Sequence, residues 1–317
     1  MNMIPAISRR ARSAPSLAAL AAAFIFATAS VASAQQSFKT PEEAVDALAN
    51  AARGGDRNNV VAVLGAKAGD IVSSGDDVED AATLQRFLAA YDAKHHVTMD
   101  GDSKATMIVG QDDFPFPIPL VRKQDMWQFD TAAGRQEIFF RRIGRNELDA
   151  IQACLAYVDA QNEYAEKDRT GDGAGVYAQR IISRPGKKDG LYWPTSQGEE
   201  PSPLGELVAD ATREGYRVGE APAPFHGYYF KILTKQGPAV PGGALDYVVK
   251  GKMIGGFALV AYPARYENSG VKTFVCSHGG VVYEKDLGPR TAELAERMTT
   301  FNPDKTWKAV EVTSPPQ

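Results

Sequence analysis

Apolar residues recur at helical spacing soon after residue 40. Thr40 can cap a helix, Pro41 suits its first turn, and Glu43 stands at the capping-box position. Apolar positions 44, 45, 48 and 51 then fall on one helical face. The pattern predicts three helices, over residues 41–53, 59–64 and 77–91.

The pattern then changes to short apolar runs that are typical of strands. The predicted strands cover residues 105–109, 118–122 and 126–129, the last two joined by a tight turn at residues 123–125. Helices followed by such strands predict a small unit of helices plus an antiparallel sheet. We assign this unit to residues 35–143.

A second unit is predicted over residues 144–317, after a boundary at Ile143-Gly144-Arg145. Asn146 is expected to cap a long helix reaching about residue 167, in which apolar residues 148, 151, 155 and 158 form one stripe. A short helix is expected over residues 204–214. The strands predicted after it cover residues 228–234, 257–262, 272–276 and 281–285. We therefore expect an α+β fold in which the long helix packs on an antiparallel sheet.

The first 34 residues have the features of a Sec-type signal peptide. Three arginines lie between residues 9 and 12, an apolar run follows over residues 16–29, and Ala32-Ser33-Ala34 is a small-residue cleavage signal. Cleavage after Ala34 predicts a periplasmic or secreted chain without stable membrane insertion. An uncleaved N-terminal anchor is the alternative.

Composition limits the function classes further. The chain of 317 residues has a net charge of -4, and removal of the three arginines in the first 34 residues makes it -7. Nucleic-acid-binding proteins usually carry a basic surplus, so no nucleic-acid partner is expected.

Several segments resemble the bacterial domain-of-unknown-function family 2950. They are spread over most of the chain that follows residue 34. The segments are Phe116–Val121, Trp127–Thr131, Ile143–Glu147, Asp189–Pro194, His226–Phe230, Gly255–Ala261, Val282–Pro289 and Phe301–Asp304. The resemblance implies no activity, because the family's name assigns none.

The second unit also resembles the soluble heads of type IV pilins and pseudopilins. The helix from Asn146 and the later strands occur in the order of such heads. The helix, however, is internal and follows no apolar N-terminal spine. The resemblance implies a pilin-head-like domain of a helix on a sheet, and it argues against incorporation into a pilus.

The segment Asp168-Arg169-Thr170-Gly171-Asp172-Gly173 matches the start of a calcium loop. Asp168, Thr170 and Asp172 place oxygen ligands at alternate positions, with a glycine at the sharp turn. The twelfth position is Gln179, which cannot supply the usual bidentate carboxylate. A polar turn is therefore the preferred interpretation, and no metal or other cofactor is predicted.

Cys154 and Cys276 are the only cysteines in the sequence. Cys154 lies on the inward side of the predicted helix, and Cys276 shares strand parity with Phe274. If the helix packs on the sheet, the two residues could form a disulfide. Two buried free thiols are the alternative.

Two aromatic clusters form a candidate binding surface. Tyr192 and Trp193 precede a proline, and His226, Tyr228 and Tyr229 surround Gly227. Such clusters can bind a peptide, a glycan or a partner subunit. The alternative is that the rings cover loops onto the core, since aromatic side chains often dominate burial.

No linear catalytic motif occurs in the sequence, and no catalytic residue is assigned. The preferred hypothesis is a non-catalytic binding or scaffolding protein of the periplasm or cell envelope, with an envelope protein or glycan as partner. One alternative is a hydrolase-like enzyme with an interdomain site, which a cluster of His226, Asp189 and Glu199 would favour. The other is a pseudopilin-like assembly component.

Overall fold

The computed structural model describes residues 35–217, 219 and 222–311, so the predicted signal peptide lies outside the described residues. Within them, no helix combines the length and apolar composition needed to cross a bilayer. The helices are α1 (Pro41–Arg53), α2 (Arg57–Leu64), α3 (Gly69–Val72), α4 (Asp77–Ala93), α5 (Thr131–Ala165), α6 (Gly205–Glu214) and α7 (Thr291–Arg297).

The strands follow the same chain order. They are β1 (His95–Asp100), β2 (Lys104–Val109), β3 (Phe114–Pro115), β4 (Leu120–Lys123), β5 (Met126–Phe129), β6 (Tyr228–Leu233), β7 (Lys235–Gln236), β8 (Leu245–Asp246), β9 (Val248–Val249), β10 (Lys252–Met253), β11 (Ala258–Pro263), β12 (Lys272–Ser277), β13 (Val282–Asp286), β14 (Thr300–Phe301) and β15 (Lys308–Ala309).

The start of α1 follows the predicted capping chemistry. The Thr40 hydroxyl accepts a hydrogen bond from the Glu43 amide at 3.1 Å. The Glu43 carboxylate accepts a hydrogen bond from the Lys39 amide at 2.9 Å. In the usual capping box it would accept from the amide of the cap residue, which here is Thr40. The local signal therefore suffices to place this helix end.

An antiparallel sheet of order β1-β2-β4-β5, with β3 paired to β2, forms the first layer. Helices α1 and α2 share with it a hydrophobic cluster that includes Leu48, Met107 and Phe129. The predicted strands at β2, β4 and β5 are confirmed. Strand β1 is absent from the prediction because most of its side chains are exposed, so they show no inward alternation.

A second antiparallel sheet has the order β15-β13-β12-β11-β6. Cys154, Tyr157 and Val158 of α5 share a buried cluster with its strands, including Leu259 and Phe274. The expected packing of the helix on the C-terminal sheet is confirmed, as is the α+β class. The likeness to pilin heads stays a prediction.

Helix α5 differs from its prediction at its start. It begins at Thr131, where Asp130 caps it, and runs for 35 residues through the proposed boundary at residue 143. Asn146 is not a cap: it is buried within the helix and donates from Nδ2 to the Ser269 carbonyl at 2.9 Å. A tertiary hydrogen bond thus gives the buried Nδ2 of Asn146 an acceptor although the residue lies within the helix. The division into two domains stays a prediction.

The expected apolar stripe of α5 also needs correction at one position. Leu148 is 63% exposed, whereas Ala150, Ile151 and Cys154 face the core. The inward face is rotated from the predicted stripe because small and polar residues, including Asn146, pack closely against the sheet and its loops.

Arg142 of α5 connects helix α3 to the loop between β11 and β12. Its buried guanidinium donates to the carbonyls of Asp70 and Ile71 and to Oδ1 of Asn268. Burial lowers the pKa of Arg142 from its ordinary value, although Asp80 acts in the opposite direction. These bonds satisfy a buried cation and tie the segment before α4 to the loop before β12.

Candidate functional site

An open cleft of about 1920 Å³ lies beside strand β6. Small-molecule pockets usually measure about 300–1,000 Å³, so this space can hold a longer ligand. We define the cleft by what lines it, which is β6, the middle of α5, the start of α4, α6, the segment 179–194 and the described residues of the segment 215–225.

The predicted aromatic surface is divided between the cleft and the core. Tyr192 and Tyr229 are half-buried and line the cleft, and Trp193 lines it although only 4% of it is exposed. Tyr228 is fully buried and donates from its hydroxyl to the Lys272 carbonyl at 2.9 Å, so its assignment to an exposed surface is wrong. Adjacent strand residues point to opposite faces, which separates Tyr228 from Tyr229.

Trp193 lies within a cationic environment at one wall of the cleft. The Arg169 guanidinium and the Lys188 ammonium lie 5.4 and 5.3 Å from its ring centroid. Its indole Nε1 is buried and finds no acceptor within the described residues. Buried Trp N–H groups usually have a partner, so this one is an available donor.

The segment 179–194 carries four basic residues into the cleft lining. They are Arg180, Arg184, Lys187 and Lys188. Arg184 is neutralised by Asp189, with Nε 2.5 Å from Oδ2. The other three form no ion pair in the part of the chain that the structure describes, so this wall is electropositive.

His226 is not among the residues that line the cleft, although Glu214 and Phe225 beside it are, and it lies between two carboxylates. Its Nδ1 is 2.9 Å from Oδ2 of Asp149, and its Nε2 is 2.8 Å from Oε2 of Glu214. Burial by itself lowers the pKa of His226, but the hydrogen bonds and charges of the two acids outweigh it and raise the pKa above its ordinary value. The arrangement favours an imidazolium that holds α5 and α6 together.

Asp189 and Glu199 are not the partners of His226. Asp189 bonds to Arg184, and the Glu199 carboxylate accepts from the Ser196 amide. Because both ring nitrogens of His226 already bond carboxylates, neither is free to take a proton from a nucleophile. Sequence reasoning missed Asp149 and Glu214, which lie 77 and 12 residues away along the chain and show no common motif.

Asp76, another acid of the cleft lining, is occupied as a helix cap. Its Oδ1 accepts from the amides of Val78 and Glu79 at the start of α4. Its Oδ2 accepts from the Tyr216 hydroxyl and the Gly227 amide, each at 2.9 Å. This buried carboxylate therefore fixes α4 against the turn before β6 and has little capacity left for a ligand.

The calcium-like segment forms a closed polar turn. One oxygen of Asp168 accepts from the amides of Thr170, Gly171 and Asp172. Asp172 is bonded by the Thr170 hydroxyl and lies 3.0 Å from the Lys252 ammonium. Among the described residues, no group of three or more His, Cys, Asp or Glu side chains is placed to hold a metal.

Cys154 and Cys276 lie side by side in the core as free thiols. The Cys276 Sγ is 3.6 Å from the Cys154 carbonyl oxygen. The neighbouring Cys154 thiol and burial together raise the pKa of Cys276 well above its ordinary value, which keeps it protonated and unreactive. The predicted proximity is present, and a count of thiols in the unfolded protein distinguishes two free thiols from a disulfide.

The fold and cleft describe an α+β protein with a ligand-sized cleft beside a sheet edge. Residues 35–310 match the family described as "Protein of unknown function (DUF2950)", and the chain belongs to that family. No curated protein and no solved structure matches the chain.

Proposed function

We propose that this chain is an exported, non-catalytic binding protein of the periplasm or cell envelope, which receives a segment of an envelope protein in the cleft. The main support is the cleft itself, whose volume of about 1920 Å³ exceeds that of an ordinary small-molecule pocket. Its aromatic rings supply apolar contact area, and its basic wall supplies charge for recognition.

The titratable groups in and beside the cleft support binding in preference to hydrolysis. His226 is committed to Asp149 and Glu214, and Asp76 is committed to helix capping. A general base needs an acceptor atom that is not already hydrogen-bonded and that lies within reach of the proton that it abstracts. These groups instead position the walls of the cleft.

Site-specific photo-crosslinking in cells tests the binding proposal. Tyr229 lies in the cleft, and Phe140 is an aromatic residue on α5, 64% exposed and absent from the cleft lining. p-Benzoylphenylalanine is placed at each position in turn. We expect a discrete protein adduct from position 229 and none from position 140. Equal adducts from both positions, or none from position 229, would refute the proposal.

Export is tested separately by determining the N-terminus of the protein recovered from each cell fraction. We expect a chain beginning at Gln35 in the periplasmic or secreted fraction. An intact N-terminus in the cytoplasm would contradict the export part of the proposal.

A further inference from the structure

Strand β6 forms one end of the C-terminal sheet and pairs only with β11 among the described strands. Its residues Tyr229–Ile232 line the cleft. The opposite end of the sheet is β15, which has two exposed residues including Lys308. Short, charged strands are a common protection of sheet edges, and β6 has six residues of which only one is charged.

The register shows which backbone groups of β6 face the open side. The Gly227 carbonyl accepts from Ala264, on the β11 side, while Tyr228 exchanges two backbone hydrogen bonds with Phe225 on the other side. Tyr228 is also paired in register with Pro263, which has no N–H to donate. Backbone groups alternate sides along an antiparallel strand, so those of Phe230 and Ile232 face away from β11.

Among the residues that the structure describes, none pairs with these groups. Residues His226 and Gly227 both have positive φ and form the two-residue turn that pairs Phe225 with Tyr228. Continued pairing would place Ala223 opposite Phe230, but no such hydrogen bond occurs within the described residues. The flanking residues Pro222 and Pro224 restrict φ to about −65°, whereas an antiparallel strand favours about −140°.

Within the described residues, the N–H and C=O groups of Phe230 and Ile232 therefore have no hydrogen-bond partner on the side of the cleft. Both side chains are half-buried, and in register they lie opposite Ala261 and Leu259, on the sheet face covered by α5. The one charged residue of β6 does not block the edge, because the Lys231 ammonium donates to the carbonyls of Ala295 and Glu296.

We infer that the cleft binds an extended, acidic peptide segment of a partner protein, which adds to the sheet as a strand along the open edge of β6. This inference rests on the proposed function and specifies its ligand. Main-chain hydrogen bonds to Phe230 and Ile232 supply the pairing, and alternate side chains supply the specificity.

The chemistry of the cleft defines the peptide. Side chains of the added strand that face α5 meet Tyr157, Phe230 and Ile232, so apolar residues are expected at alternate positions. Arg180, Lys187 and Lys188 line the neighbouring segment and attract acidic residues. The expected ligand thus alternates apolar residues with other residues and carries Asp or Glu near one end.

Panning of a randomised peptide library on the purified chain from residue 35 onward tests the inference. We expect selected peptides with this alternation and with acidic residues, whose affinity falls with salt and falls again in the charge-reversed variant Lys187→Glu. Each selected peptide is then N-methylated at one amide at a time. Loss of about tenfold or more at every second amide is expected, since only alternate N–H groups donate to β6.

Ile232→Pro removes one outward N–H without removing a donor of the β6–β11 ladder, and Ile232→Val is the matched control. We expect the proline variant to lose about tenfold or more in peptide affinity while the valine variant binds like the native chain. The N-methyl scan provides the same test if Ile232→Pro does not fold. Uniform tolerance of N-methylation, or full affinity of a folded Ile232→Pro variant, would overturn strand addition.

The outcomes separate the two proposals. A crosslinked partner at Tyr229 together with no selected peptide, or with peptides lacking the alternate-amide pattern, overturns strand addition and leaves the binding function in place. Absence of any adduct at Tyr229 overturns the binding function itself.

Discussion

Substitution of Gly144 tests whether α5 is continuous through the position where the sequence pattern predicts a boundary. The structure places Gly144 in the interior of the 35-residue helix. A Cβ at this position meets nothing within 4 Å, so a replacement acts on the backbone alone. Gly144→Ala and Gly144→Pro therefore distinguish a helix from a linker.

The expected magnitudes follow from helix propensity. Alanine is about 1 kcal/mol more favourable than glycine in a helix interior, and proline is about 3 kcal/mol less favourable than alanine. We expect Gly144→Ala to raise the free energy of unfolding by about 1 kcal/mol and Gly144→Pro to lower it by about 2 kcal/mol. At roughly 2 °C in Tm per kcal/mol for a protein of this size, the two variants should differ by about 6 °C.

Urea and thermal unfolding of the chain from residue 35 onward, followed by far-ultraviolet circular dichroism, measures these differences. Gly134→Ala in the same helix is the control for crowding, because its Cβ would lie 2.5 Å from the Pro117 carbonyl oxygen. We expect it to destabilise the protein by about 1–3 kcal/mol. A Gly144→Pro variant within about 0.5 kcal/mol of the native chain would refute a continuous helix there.

Two further predictions concern titratable groups. Because the fold raises the pKa of His226, its contribution to stability is present below the unfolded value near 6.5 and is lost as pH rises through the higher folded value. The free energy of unfolding should therefore fall over this range in the native chain and less so in His226→Gln; parallel profiles from urea titrations would contradict this. Cys154 and Cys276 should resist a thiol reagent while the protein is folded and give two thiols per chain once it is unfolded without reductant, whereas a count of zero would establish the disulfide instead.

Local sequence signals predicted several elements closely. The Thr40 cap with Pro41 places the start of α1, and the short apolar run at residues 126–129 places β5. In these cases the hydrogen bonds or side-chain faces involved belong to residues within a few positions of one another, so the pattern along the chain contains the relevant information.

Other features depend on contacts between distant residues. Asn146 looks like a cap in the sequence, but its hydrogen bond to Ser269, 123 residues away, accommodates it inside a helix. The aromatic pair Tyr228 and Tyr229 is visible in the sequence, whereas the burial of only one depends on which face α5 covers.

The sequence by itself determined the α+β class, the family and the positions of seven of the fifteen described strands, because hydrophobic periodicity and capping are local properties. Only the tertiary structure decided that α5 is continuous, that His226 lies between Asp149 and Glu214, and that β6 has an open edge. These depend on strand order and on which chain segments meet, and the free energy that selects them comes from packing and hydrogen bonds between residues far apart in the sequence.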